Sequence, residues 1–110
     1  MKLIKTIIRP DKLDEVREAL EKLNTPGMTA TDVRGHGRQR GHTAVYRGKE
    51  YHVSLLPKVE IEVVVADGVA DDVIKAIVQA ARTGEIGDGR VFVTPVEQSY
   101  KIRTGTKESA

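Results

Sequence analysis

Residues 58–65 read Lys-Val-Glu-Ile-Glu-Val-Val-Val. Val59, Ile61, Val63 and Val65 alternate with Lys58, Glu60, Glu62 and Val64. A period of two places the first set on one face of a pleated strand and the second set on the other. The first face is wholly apolar, whereas the second begins charged and ends apolar. This is the pattern of a strand inside a sheet, one face on a core and the other partly covered.

Outward from this strand the elements follow in order. Asp67-Gly68 turns the chain into a helix with Val69, Val73, Ile77 and Ala80 on one side. Thr83–Gly89, TGEIGDG, is a glycine loop. Val91, Phe92 and Val93 form a fourth strand that Pro95 breaks, Val96–Arg103 reads as a short final strand, and the tail from about 104 to 110 reads as frayed and flexible. At the other end, residues 2–9, KLIKTIIR, are a strand with Leu3 and Ile7 on one face and Ile4 and Ile8 on the other. Pro10 stops it, and Asp11 is placed to cap a helix with Leu13, Val16, Leu20 and Leu23 on one face. Asn24-Thr25-Pro26-Gly27 stops that helix, and Met28–Arg34 reads as the second strand. Strand, helix, strand, strand, helix, strand is the split βαβ order. It predicts an α+β, ferredoxin-like βαββαβ sandwich with both helices on one face of an antiparallel sheet. Apolar residues on both sides of the first and third strands predict that other subunits cover the second face.

Between the second and third strands lies RGHGRQRGHTAVYRGKEYHVSLLP, residues 34–57, which has no core period. Connections in compact domains usually run to about 4–6 residues. This one holds Gly35, Gly37, Gly41 and Gly48, all three histidines, and Tyr46 and Tyr51 bracketing Arg-Gly-Lys-Glu. That composition suits a recognition arm, carried as an extended hairpin, better than a passive linker.

A chain of 110 residues reads as one domain, 1–110. Its net charge is +2, the basic excess sits in the long connection, and only 4% of residues are aromatic, so neither the electrostatic nor the stacking requirement of a nucleic-acid binder is met. With no cysteine, disulfide frameworks and thiolate chemistry are excluded. The opening segment is too short and too charged for a signal peptide, and no apolar run approaches the ~20 residues of a membrane span, which predicts a cytoplasmic protein.

Three constellations could carry chemistry. In Gly84–Arg90 the glycines let a backbone approach a phosphate and Arg90 adds charge, although Gly-Asp-Gly is equally a tight turn before a strand. Lys101 and Arg103 fall on one face of the expected final strand, where they could clamp an anion or simply be solvated. Gly35, Gly37, Arg38 and Gln39 with Lys58 gather glycine, guanidinium, carboxamide and ammonium at the two edges of the connection, a set suited to a dicarboxylate or a chelated Mg²⁺, or to a charged surface loop. His36, His42 and His52 lack zinc-site spacing, and no nucleophile–base–orienter set exists, so the chain is not expected to be an enzyme.

Taken in order, IIRPDKLDEVREAL, GMTATDVRGHGRQRGH, YRGKEY, LPKVEIEVVV, ARTGEIGDGRVFVTPVE and KIRTG resemble the PII signal-transduction family over essentially the whole chain. The resemblance implies a homotrimer that binds ATP or ADP between subunits, with 2-oxoglutarate bound alongside Mg²⁺ and ATP. It implies control of an ammonium channel or of nitrogen-metabolism enzymes and regulators through the long connection, the T-loop, about 36–55. The membrane would be reached only through a channel partner. Ile7, Thr29, Gly35, Gly37, Arg38, Gln39, Lys58, Glu62, Val64, Gly87, Asp88, Gly89, Arg90, Lys101 and Arg103 match nucleotide-site positions. Gln39, Lys58 and Gly87 match the 2-oxoglutarate edge, Gln39 also the Mg²⁺ position, and Tyr51 the tyrosine that many members carry uridylylated or adenylylated. Lys49 replaces the usual small residue of that motif, and Lys101 stands where arginine is common. The alternative is a divergent nucleotide sensor of the same fold acting on another partner, such as a nitrogenase-type or bicarbonate-linked system.

Overall fold

The computed structural model describes residues 1–36, 43–46, 49–52 and 55–108, with the backbone path alone in 43–46 and 49–52. Its strands are β1 (Lys2–Ile8), β2 (Thr29–Gly35), β3 (Thr43–Tyr46), β4 (Lys49–His52), β5 (Leu56–Val65) and β6 (Gly89–Pro95), and its helices are α1 (Leu13–Lys22) and α2 (Ala70–Ala81). Four strands form one sheet in the order β2-β5-β1-β6, every neighbouring pair antiparallel. This is the ferredoxin-like arrangement that the element order predicts.

The alternation of β5 sets the core. Val59, Ile61, Val63 and Val65 meet Ile4 and Ile8 of β1, Val16 and Leu20 of α1, and Ala70, Val73, Ile77 and Ala81 of α2. Single-turn 3₁₀ segments, Pro10–Lys12 and Asp67–Val69, lead into the two helices. They correct two expectations. Asp11 sits inside the first of these turns and does not cap α1, because Pro10 with its fixed φ begins the turn one residue earlier. In α2 the turn absorbs Val69, so Ala70 and Ala81 are buried where Val69 and Ala80 were expected. Leu23 likewise falls at the α1 C-cap and is exposed, while Asn24 takes φ 53° and Thr25 returns hydrogen bonds to the Leu20 carbonyl.

The expected strand over Val96–Arg103 does not form. Lys101 N–H donates to the Thr106 carbonyl (2.9 Å) and Gly105 N–H to the Lys101 carbonyl (2.8 Å), so the backbone satisfies itself in a local turn. Ile102 is 100% exposed, leaving no burial to hold a strand against the sheet. Residues expected to fray from 104 return through an isolated bridge, Tyr100 with Lys107, and Ser99 Oγ donates to Glu108 (3.0 Å).

The second face of the sheet carries Leu3, Ile7, Val33 and Val64, all half-buried, and the exposed Phe92, with Lys5 paired to Glu60 (3.8 Å) and Glu62 (3.7 Å). Among the described residues no helix lies on it. Between Gly35 and Leu56, β3 and β4 pair as a separate two-stranded ladder, Thr43 opposite His52 and Tyr46 opposite Lys49. Within the connection these two segments thus run antiparallel.

Candidate functional site

The ends of β1, β5 and β6 meet at one edge of the sheet, where Ile8 pairs with both Val59 and Gly89. The loop from α2 to β6 folds over this edge. Gly84, Gly87 and Gly89 adopt φ of 91°, 101° and 106°, a region that side chains disfavour. At Gly89 a Cβ would lie 1.7 Å from the Ile7 carbonyl oxygen, so only glycine lets the loop join β6 at this register. Gly35, on the facing strand, has the Cγ of Lys58 3.3 Å from where its own Cβ would be, and this open space lets the lysine stem lie across β2.

Three cations converge on the loop. Arg9, the residue after β1, donates from Nη2 to the Ile86 carbonyl (2.8 Å) and from Nε to Asp88 Oδ1 (3.0 Å). Lys58 Nζ donates to the Gly87 carbonyl (2.8 Å). Arg90 lines the same cleft, which encloses ≈ 520 Å³ between Ile7, Gly35, His36, Leu56, Lys58 and residues 85–90. Burial depresses the Lys58 pKa below the usual lysine value; Arg9 pushes the same way, and Asp88 opposes them. Arg9, Lys58 and Arg90 together give this end of the sheet a positive potential.

The carboxylate of Asp88 is turned into its own loop. Its Oδ2 accepts the backbone N–H groups of Thr83 and Gly84, each at 2.8 Å, and its Oδ1 accepts the Thr83 hydroxyl as well as Arg9. The Thr83 hydroxyl first, then Arg9 and the two amides, holds this carboxyl well below the usual carboxylate range against its partial desolvation. Around a cavity of this size, backbone turns with Arg9, Lys58 and Arg90, beside the exposed Glu85, suit a multiply charged anion.

A family model described as nitrogen regulatory protein P-II matches residues 1–106. The chain is 58% identical over 107 residues to a nitrogen regulatory protein P-II of Azospirillum brasilense, covering 97% of this chain and 96% of the relative. It is 53% identical over 110 residues to nitrogen regulatory protein P-II 1 of Escherichia coli K12, covering 100% and 98%. The chain belongs to the nitrogen regulatory protein P-II family. Its general role is therefore in the regulation of nitrogen metabolism, and the cleft is a candidate site of a P-II protein.

Within this P-II chain, Ile7, Gly35, Lys58, Gly87, Asp88, Gly89 and Arg90 line one cleft. Thr29 and Glu62 pair across β2 and β5, and Val64 lies opposite Leu3, six residues along β5 from Lys58, or about 20 Å at the rise of a strand. They share the sheet's second face with Ile7 but not the cleft. Lys101 and Arg103 are exposed on the C-terminal turn and are not among the residues that line the cleft. Gly37, Arg38 and Gln39 lie outside the described residues, and for Tyr51 the backbone pairing with Ala44 is what is described. Sequence reasoning missed Arg9 and Thr83. Arg9 carries only a faint signal, a cation between a strand and a strand-stopping proline, and Thr83 a fainter one, a hydroxyl five residues before Asp88. Among the described residues no group of three histidines or carboxylates gathers to hold a metal, and no helix is long and apolar enough to cross a membrane.

Proposed function

We propose that this P-II chain is a cytoplasmic homotrimeric sensor that binds ATP or ADP at the cleft. With Mg²⁺ and ATP present it takes up 2-oxoglutarate, and it passes the resulting state to an ammonium channel or a nitrogen-metabolism protein through residues 36–55. The observation that carries the reading is the glycine loop of residues 84–89, held beside Arg9, Lys58 and Arg90 while the carboxylate of Asp88 is internally neutralised and Glu85 is exposed. A triphosphate supplies the anion that the cleft requires. Charge-assisted hydrogen bonds of this kind are worth about 1.5–3 kcal/mol each.

The half-buried apolar residues on the second face support the trimer. Two neighbouring copies would cover Leu3, Val33, Val64 and Phe92, and would bring a second chain's Thr29, Glu62, Val64, Lys101 and Arg103 within reach of a nucleotide too long for one chain's cleft. Mg²⁺ finds no acidic cage among the described residues. In this reading Gln39 and the phosphate oxygens hold it, and it supplies the charge that joins the phosphates to 2-oxoglutarate. Lys58, desolvated beside Arg9, receives the distal carboxylate. Tyr51, in the outer ladder strand, is the position for nucleotidylation.

Calorimetric titration tests this reading. ATP and ADP should each bind, and 2-oxoglutarate should release heat only with Mg²⁺ and ATP both present. Linkage requires that it tighten ATP binding by the factor by which ATP tightens its own. Absence of binding by both nucleotides, or equal 2-oxoglutarate binding without them, would refute the proposal.

A further inference from the structure

Asp88 lines the cleft, yet its contacts all run inward. A carboxylate offers about four lone-pair positions. Four donors use them here: the Thr83 and Gly84 amides on Oδ2, and the Thr83 hydroxyl and Arg9 Nε on Oδ1. Thr83 Oγ1 in turn accepts the Glu85 N–H at 3.1 Å. One carboxylate thus ties the start of the loop to its end, and through Arg9 ties both to the end of β1. The Ile86 and Gly87 carbonyls between them are held by Arg9 and Lys58.

We infer that Asp88 is a positioning residue. It folds the 83–89 loop into its anion-accepting shape and contacts neither the phosphates nor a metal ion. The inference rests on the nucleotide reading above and refines it, since sequence matching alone places Asp88 among the binding residues. A saturated carboxylate has no oxygen left for Mg²⁺. It would also repel a phosphate if its charge were not absorbed by four donors. Asp88 therefore sits beside an anion site without electrostatic conflict, and Thr83 is its necessary partner.

Of the roles open to Asp88, phosphate contact and positioning give opposite signs on neutralisation, and a metal ligand is told apart by its Mg²⁺ dependence. A carboxylate facing phosphate weakens binding, so Asp88→Asn would tighten it. A positioning carboxylate loses acceptors and confronts a donor with the new amide, so Asp88→Asn weakens binding. ATP titrations of the full chain with and without Mg²⁺ are compared for the wild type, Asp88→Asn, Thr83→Val and Thr83→Ser. Asp88→Asn and Thr83→Val should each weaken ATP by about tenfold or more, the equivalent of one charge-assisted hydrogen bond. Thr83→Ser, which keeps the hydroxyl, should bind close to the wild type. The ratio of affinities with and without Mg²⁺ should be the same in every variant. Binding by Asp88→Asn at or above wild-type strength, a Mg²⁺ effect lost in that variant alone, or wild-type binding by Thr83→Val would overturn the inference. A wild type that binds no ATP removes the nucleotide reading itself, and this assignment with it. Should Asp88→Asn fail to fold, the Thr83 pair decides alone.

Discussion

Gly89→Ala perturbs the point where the loop enters the sheet. The added Cβ would lie 1.7 Å from the Ile7 oxygen, 2.7 Å from the Ile7 carbonyl carbon and 3.3 Å from the Ile8 Cα, all of them backbone atoms of the central strand. No rotamer change relieves such a clash, so the start of β6 must move off β1 by more than an ångström. The φ of 106° adds a strain of about 1–3 kcal/mol for any side chain. Loss of ladder pairing at Ile8–Gly89 and Ile7–Arg90 adds about 1 kcal/mol for each bond broken. The sum is about 3–5 kcal/mol. At about 4 °C per kcal/mol for a chain of this size, the melting temperature at fixed protein concentration should fall by about 12–20 °C. Two other glycines serve as internal controls. Gly84 has φ 91° but open space, so its alanine variant bears the strain alone, about 1–2 kcal/mol. Gly68 has neither positive φ nor a neighbour within 4 Å, and its alanine variant should be neutral or slightly stabilised. Circular-dichroism melts of the three variants should rank in that order. A Gly89→Ala chain as stable as Gly84→Ala would refute the steric reasoning.

Three further outcomes are expected. Thr6 is 1% exposed on the core face and its hydroxyl has no hydrogen-bond partner among the described residues, so Thr6→Val should raise stability by about 1–3 kcal/mol, read as a higher urea midpoint; a lower midpoint would show that the hydroxyl is satisfied. The Asp88 carboxyl is depressed in the folded chain, so it contributes stability that is fully present above the unfolded carboxylate value of about 3.9 and is lost as pH falls below it. Asp88→Asn should therefore flatten the acid limb of stability against pH and leave the slope between about pH 5 and 8 unchanged, and an unaltered acid limb would contradict the contacts assigned to Asp88. Phe92→Lys sets a second cation opposite Lys5 on the sheet's second face, so sedimentation at micromolar concentration should show the proposed trimer broken into folded monomers; an intact trimer would place the interface elsewhere.

Local patterning was enough for the skeleton. The alternation in 58–65, the doubly apolar β1, the periodic helices and the stop at Asn24–Gly27 each reflect a period that backbone geometry imposes on any buried face. The errors fell where a local preference competed with a neighbour. Pro10 and Asp67 started 3₁₀ turns that shifted the helix phase by a residue, and the C-terminal segment satisfied its backbone in a turn because Ile102 had nothing to pack on. The β3–β4 ladder had no apolar alternation to announce its strands.

The site divided in the same way. Gly84–Arg90 was legible in the chain as a glycine loop with a cation, and Lys58 as an ammonium at the edge of the long connection, because glycine and cation are properties of single residues. That Arg9, 79 residues from Asp88, clamps the loop was decided only by the antiparallel register that brings the ends of β1, β5 and β6 to one edge. So was the inward turn of Asp88, whose charge reads from sequence as a ligand and from structure as a strut. A hydrogen bond depends on where two atoms sit within a few tenths of an ångström, and that placement is a product of the whole sheet rather than of either residue's neighbours in the chain.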